Sequence, residues 1–286
     1  MRLKATAYAV VVGLVVLSAG TLANEVIRGD IPGGVFGEVY QCGFHPQNTV
    51  VLDGKLDDLA WVHAPWHYVD NRTGTAPAPD PDDASYQFAA VADNDWLYVA
   101  FQVWDDEIRT GENLGGDVWK DDSVEIYIDP NNGKTASYET GNGTWDSQIT
   151  IGAINIGGDP EAPQLAGTGD GAGSGTRAAV VEWEKGWIVE AAVPLDLPGR
   201  WDIRPADGLR IGFNTHLNDD DDGGERDHKL IWSVKDVADQ SWQNTSVFGE
   251  LEFVSAFLAV DPKGKLPIYW GAIKVGRIGT QGDETR

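Results

Sequence analysis

The feature that most constrains this chain is the way its apolar residues recur: at every second position, in short runs, with turn residues between the runs. In Ser123–Asp129, Val124, Ile126 and Ile128 alternate with Ser123, Glu125, Tyr127 and Asp129. A strand there sends three apolar side chains to a core and holds Glu125 and Tyr127 on its other face. Pro130 and two asparagines stop it. Leu97, Val99, Phe101 and Val103 share one face of a second run, which Asp93, Asn94 and Asp95 join to the run over 85–92, the spacing of a hairpin. Ile149 and Ile151 mark another strand, followed by runs over 178–184 and 187–193, the alternation of Leu209, Ile211 and Phe213, the pair Ile231 and Trp232, and a closing run over 248–253. Roughly ten such strands with almost no helical periodicity predict an all-β single domain, a β-sandwich of two antiparallel sheets with jelly-roll character.

The flanks read differently. The chain opens MRLK, runs apolar over 5–17 and reaches small residues over 19–23, the pattern of a secretory signal peptide. This predicts a secreted protein, extracellular or periplasmic, with no membrane insertion once residues 1–23 are removed. Residues 24–48 read as an irregular lead-in, 49–254 as the domain, and 255–286 as a tail or linker that is basic relative to the rest. That tail is a linker, a docking peptide or a frayed end. The proline-rich stretch from Asn71 predicts an exposed loop, and the glycine-rich stretch over 157–176 a long loop with little to pack.

The formal charge of −24 repels nucleic acid and anionic membranes, leaving neutral polymers and divalent cations as compatible partners. Cys42 is the only cysteine, so no internal disulfide forms. Twelve tryptophans in 286 residues exceed what a core needs, and the surplus argues for an aromatic binding surface. Trp119 stands in an acidic loop just before Glu125. An indole beside a carboxylate suits a sugar: the ring covers the C–H face of a pyranose and the carboxylate accepts from its hydroxyls. The plainer alternative is a buried tryptophan and a solvated glutamate.

Other chemistry is weaker. Asn218, Asp220, Asp222 and Gly223 fit the first, third, fifth and sixth positions of a helix-loop-helix calcium loop, but Lys229 stands at the twelfth. That motif fails, leaving a non-helical calcium site at Asp220 and Asp222 or at Asp121 and Asp122, because clustered carboxylates repel unless a cation neutralises them. His63 and His67 are spaced as a helical zinc pair, which Pro65 between them opposes. A glycosidase needs two carboxylates set across a scissile bond, and no spacing here singles out a pair. Haem ligation by methionine fails because Met1, in the leader, is the only methionine.

The segments VVLDGKLDDLAW, DNDWLYVAFQVWDDE, VWKDDSVEIYIDPNNGKTASYE, GWIVEAAVPL, LRIGFNTHLND and IWSVKDVADQSWQNTSVFGELEF, in that order, resemble carbohydrate-binding module family 9. The resemblance implies a non-catalytic β-sandwich of the kind appended to xylanases, with structural calcium and a sugar stacked between two tryptophans at the end of a xylan- or glucan-type chain. By position it implies Trp119 and Trp242 as the plates and Glu125 as the sugar-contacting carboxylate, with Gln148 or Gln240 assisting. The family's arginine and asparagine on the next strand fall here at Thr150 and Gly152, so the ligand, the affinity or binding itself differs. A secreted matrix or adhesion protein reusing the fold is the alternative.

Overall fold

The computed structural model describes residues 39–45, 50–69 and 80–255. The leader, most of the lead-in, the loop over 71–79 and the tail beyond Ser255 lie outside them. In chain order the strands are β1 (Val39–Phe44), β2 (His67–Val69), β3 (Ala84–Ala92), β4 (Trp96–Asp105), β5 (Ser123–Asp129), β6 (Ser147–Gly152), β7 (Leu165–Ala166), β8 (Arg177–Trp183), β9 (Gly186–Pro194), β10 (Asp196–Leu197), β11 (Trp201–Asp202), β12 (Arg210–Asp219), β13 (His228–Ile231) and β14 (Gly249–Ser255). A short helix, α1 (Leu59–His63), ends before Pro65. No helix among the described residues is long and apolar enough to cross a membrane.

The all-β, single-domain expectation holds. The two faces of the sandwich are halves of one curled sheet, ordered β7-β6-β5-β12-β14-β1-β3-β4-β9-β8, with β13 on β12 and β2 on β3, while β10 and β11 form a separate ribbon. The sheet is mixed because β1 runs parallel to both β14 and β3. Phe88 of β3 and Phe213 of β12 meet across the core with ring centroids 6.1 Å apart. The inward residues of β4 and β5 named from their alternation are all buried in this core.

The hairpin β3–β4 forms in the expected register, Ala92 opposite Leu97. Asp93 holds the turn, its Oδ1 accepting the N–H groups of Asp95 at 2.8 Å and Trp96 at 2.7 Å. On the outer face, residues 50–66 fold over β4 and β9 and bury Leu56 and Trp61 in a second apolar cluster. Trp61 Nε1 donates to Glu190 Oε1 at 2.7 Å, and Glu190 Oε2 accepts from Gly54 N at 2.7 Å.

Two sequence expectations need correction. Residues 39–44, read as part of an irregular lead-in, form β1, with Tyr40 and Cys42 fully buried. Tyr40, Cys42 and Phe44 do alternate, but the glycines around them mask the run, and its partners are far along the chain. The glycine-rich stretch over 157–176 packs closely: β7 joins β6, and a Cβ at Gly171 would run into the carbonyl oxygen of Gln148. Gly171→Ala is expected to cost about 1–3 kcal/mol, read by chemical denaturation, because the carbonyl belongs to a strand that cannot shift. An unchanged midpoint would show that the loop gives way.

Candidate functional site

Alternation along β5, β6, β12 and β13 builds a polar array on the sheet face away from the core. Glu125 pairs with His216 across β5 and β12, Tyr127 with Gln148 across β5 and β6, and Asn218 with Lys229 across β12 and β13. Above the array lies a cavity of about 540 Å³. Trp119, from the 3-10 turn Gly115–Lys120, and Trp242, from the connection between β13 and β14, both line it. Trp242 is 45% exposed, the most solvent-open aromatic of the site. Of the residues expected from sequence, Trp119, Trp242, Glu125 and Gln148 therefore come together. Gln240 does not: its amide is turned back, Nε2 donating to Ala238 O at 3.0 Å and Oε1 accepting from Gln243 at 2.8 Å.

Glu125 is not a solvated carboxylate. It is 0% exposed, at the cavity floor. Its Oε2 accepts from Tyr127 Oη at 2.6 Å and Lys229 Nζ at 2.6 Å and lies 3.1 Å from His216 Nδ1, while Oε1 accepts from Gln148 Nε2 at 2.9 Å. Burial alone would raise its pKa, but attraction to Lys229 and the bond from His216 outweigh it and hold the carboxyl well below the usual range. Burial, reinforced by Lys229, lowers His216, which leaves the imidazole neutral near pH 7. Burial, then the Glu125 charge, keeps Tyr127 protonated.

Three residues that sequence reasoning missed complete the cavity. Lys229 neutralises Glu125, and Arg226 and Asp239 form an ion pair at 2.5 Å. The Arg226 guanidinium lies 4.8 Å from the Trp119 ring centroid, a cation–π distance. Thr150 also lines the cavity, whereas Gly152 does not, and a Cβ at Gly152 would stand 2.6 Å from Val118 Cγ2. Gly152 therefore stands where Val118 leaves little room for a side chain.

The acidic residues sort differently from expectation. Asp121 clamps a loop, accepting the N–H groups of Glu112 and Asn113 at 3.1 Å and the Asn113 amide at 2.6 Å. Asp122 faces Asp105 and Asp219, three buried carboxylates with ligand atoms within 4.8 Å of one another. Asp219 Oδ2 has no hydrogen-bond partner among the described residues. Burial, then the charge of Asp105, pushes Asp122 up to about 9, and burial, then Asp105 and Asp122, pushes Asp219 up to about 10. Asp220 and Asp222 gather instead with Asp227, and Asp83, Asp221 and His228 form a further group. Sequence spacing links none of the buried trio, which comes from the ends of β4 and β12 and the start of β5.

The profile described as carbohydrate family 9 binding domain-like matches residues 52–256. The chain is 30% identical over 208 residues to exoglucanase XynX of Acetivibrio thermocellus and 32% identical over 209 residues to endo-1,4-beta-xylanase A of Thermotoga maritima. These alignments cover 71% and 72% of this chain but only 16% and 17% of the two relatives, so the chain spans about a sixth of their length. In fold it is similar to a carbohydrate binding module family 9 protein from Caldicellulosiruptor kristjanssonii, solved in complex with cellotriose, with a TM-score of 0.59 at 22% identity, covering 81% of this chain and 99% of that one. A carbohydrate binding module family 9 protein from the same organism, solved in complex with glucose, gives 0.58 at 22% identity. By its sequence and its fold, the chain belongs to the carbohydrate family 9 binding domain-like family.

Proposed function

We propose that this is a secreted, non-catalytic glycan-binding module that holds a xylan- or glucan-type saccharide end between Trp119 and Trp242. One observation carries the reading: two indoles remote in sequence line the same open cavity over a neutralised polar floor. Stacking on an indole excludes water from the C–H face of a pyranose while the sugar rim stays wet. The cavity pairs Arg226 with Asp239 and Lys229 with Glu125, so it carries little net charge and suits a neutral sugar. The cellotriose and glucose complexes of the C. kristjanssonii relatives support this class of ligand.

Calorimetric titration with cellotriose and xylotriose tests it. Wild-type protein is expected to bind, and Trp119→Ala or Trp242→Ala to lose about 2 kcal/mol or more of affinity, roughly thirty-fold. Saturation of Glu125 and Gln148 by the protein's own groups favours a second reading, a secreted matrix protein in which the array only stabilises the fold. A folded wild-type sample that binds neither sugar decides for that second reading.

We further propose that Asp105, Asp122 and Asp219 hold a structural calcium ion. The donor set is all carboxylate oxygen, as a hard cation requires, and the buried Asp219 Oδ2, without a hydrogen-bond partner among the described residues, supports the reading. This reading combines Asp122, a candidate from the sequence, with Asp105 and Asp219, while Asp121 is engaged with Glu112 and Asn113.

A further inference from the structure

Most polar groups facing the cavity are already committed to one another. Gln148 Nε2 donates to Glu125 Oε1 at 2.9 Å and Tyr127 Oη at 3.2 Å, and its Oε1 accepts the Thr168 N–H at 3.0 Å. Lys229 Nζ donates to Glu125 Oε2 at 2.6 Å and Asn218 Oδ1 at 3.0 Å and lies 3.5 Å from Asp239 Oδ1. A ligand hydroxyl gains little from such groups, because each new bond breaks an internal one.

Arg226 differs. A guanidinium carries about five N–H donors in a flat fork. Here one terminal nitrogen donates to Asn218 Oδ1 at 3.0 Å and the other to Asp239 Oδ2 at 2.5 Å. The remaining N–H groups, that of Nε among them, make no hydrogen bond among the described residues. Asn218 and Asp239 thus fix the plane while leaving donors over, and the ring of Trp119 lies beneath at 4.8 Å. Asp239 reaches this position from a left-handed backbone conformation, φ 50°, that a residue other than glycine adopts at a cost. From β6, beside the already committed Gln148, only the short hydroxyl of Thr150 is added to the cavity lining.

We propose that Arg226 determines the specificity of this cavity by donating a pair of N–H groups to two neighbouring hydroxyl oxygens of the sugar, so that the site selects neutral saccharides with an intact vicinal diol. This rests on the glycan-binding reading above. The fork spans two oxygens on adjacent carbons in a way that a lysine ammonium, a point donor, does not. The cavity would therefore discriminate among sugars by hydroxyl pattern through a residue on the β12–β13 connection rather than through the strand floor.

The test titrates cellotriose, glucose and the mono-deoxy analogues of glucose into wild type, Arg226→Lys, Arg226→Gln and Trp119→Ala, each with a thermal melt. Arg226→Lys is expected to weaken cellotriose binding about ten- to a hundred-fold with the melt unchanged. Deleting one recognised hydroxyl from glucose should weaken wild type by a similar factor and leave Arg226→Lys nearly indifferent, a coupling that a purely structural role would not produce. If both Arg226 variants bind as well as wild type or better while Trp119→Ala fails, the guanidinium only covers the indole: this proposal falls and the glycan reading stands. Wild type that binds none of the sugars overturns both.

Discussion

Lys229→Met is expected to remove about 3–5 kcal/mol of folding stability, because it strands the Glu125 charge in a site where neither side chain is more than 2% exposed. Among the described residues the nearest substitute is His216, 3.1 Å away, whose pKa is lowered first of all by burial, a cause that the substitution leaves in place. The sign with pH follows from the shifts. In wild type the Glu125 pKa is lowered, so its contribution is present above the unfolded carboxyl value near 4.3 and is lost as pH falls through the lower folded value. In the variant, burial raises that pKa instead, and the deficit grows as pH rises above about 4.3. Urea denaturation at pH 4 and pH 7.5 checks this: the gap between variant and wild type should narrow in acid. Adding Glu125→Gln should recover part of the loss. A single variant within about 1 kcal/mol of wild type at pH 7.5 would mean that water reaches Glu125 and replaces the ammonium.

Stripping calcium is expected to lower the melting temperature on the order of 10 °C, the shift that about 4 kcal/mol of linkage produces in a domain of this size. Asp219→Asn supplies the sharper test. With calcium present the variant loses a ligand and should melt below wild type. In chelator it removes one of three crowded carboxylates, so it should melt above wild type. Melts that ignore both chelator and substitution would assign the trio to shared protons rather than a metal.

The sequence made the strands legible wherever an apolar run alternated cleanly and a turn residue closed it, as in β3, β4 and β5. It hid β1, whose glycine-flanked run matters only beside β3 and β14, and it hid the packing of Gly171, which depends on one carbonyl oxygen. In the site, Trp119, Glu125 and Gln148 sit on or beside one local strand pair and could be named from it. Lys229, by contrast, reads in sequence only as the residue that spoils a calcium loop. Its role appears when β13 pairs with β12 and sets it opposite Asn218, beside Glu125. Asp105 and Asp219 escape for the same reason: nothing in their local spacing says that they converge with Asp122. Pairing between distant segments, not composition, decides which charged residues meet.

The placement of β1 also governs how the domain answers force. Val39 lies opposite Glu250 and Phe44 opposite Ser255, so the first and last strands run side by side in the same direction. A pull on the chain before Val39 and after Ser255 therefore loads this pair in shear along its whole length, with the hydrogen bonds strained together instead of being unzipped one at a time. Tethered at both ends, such a unit resists extension through the very strand that joins the two halves of its sheet.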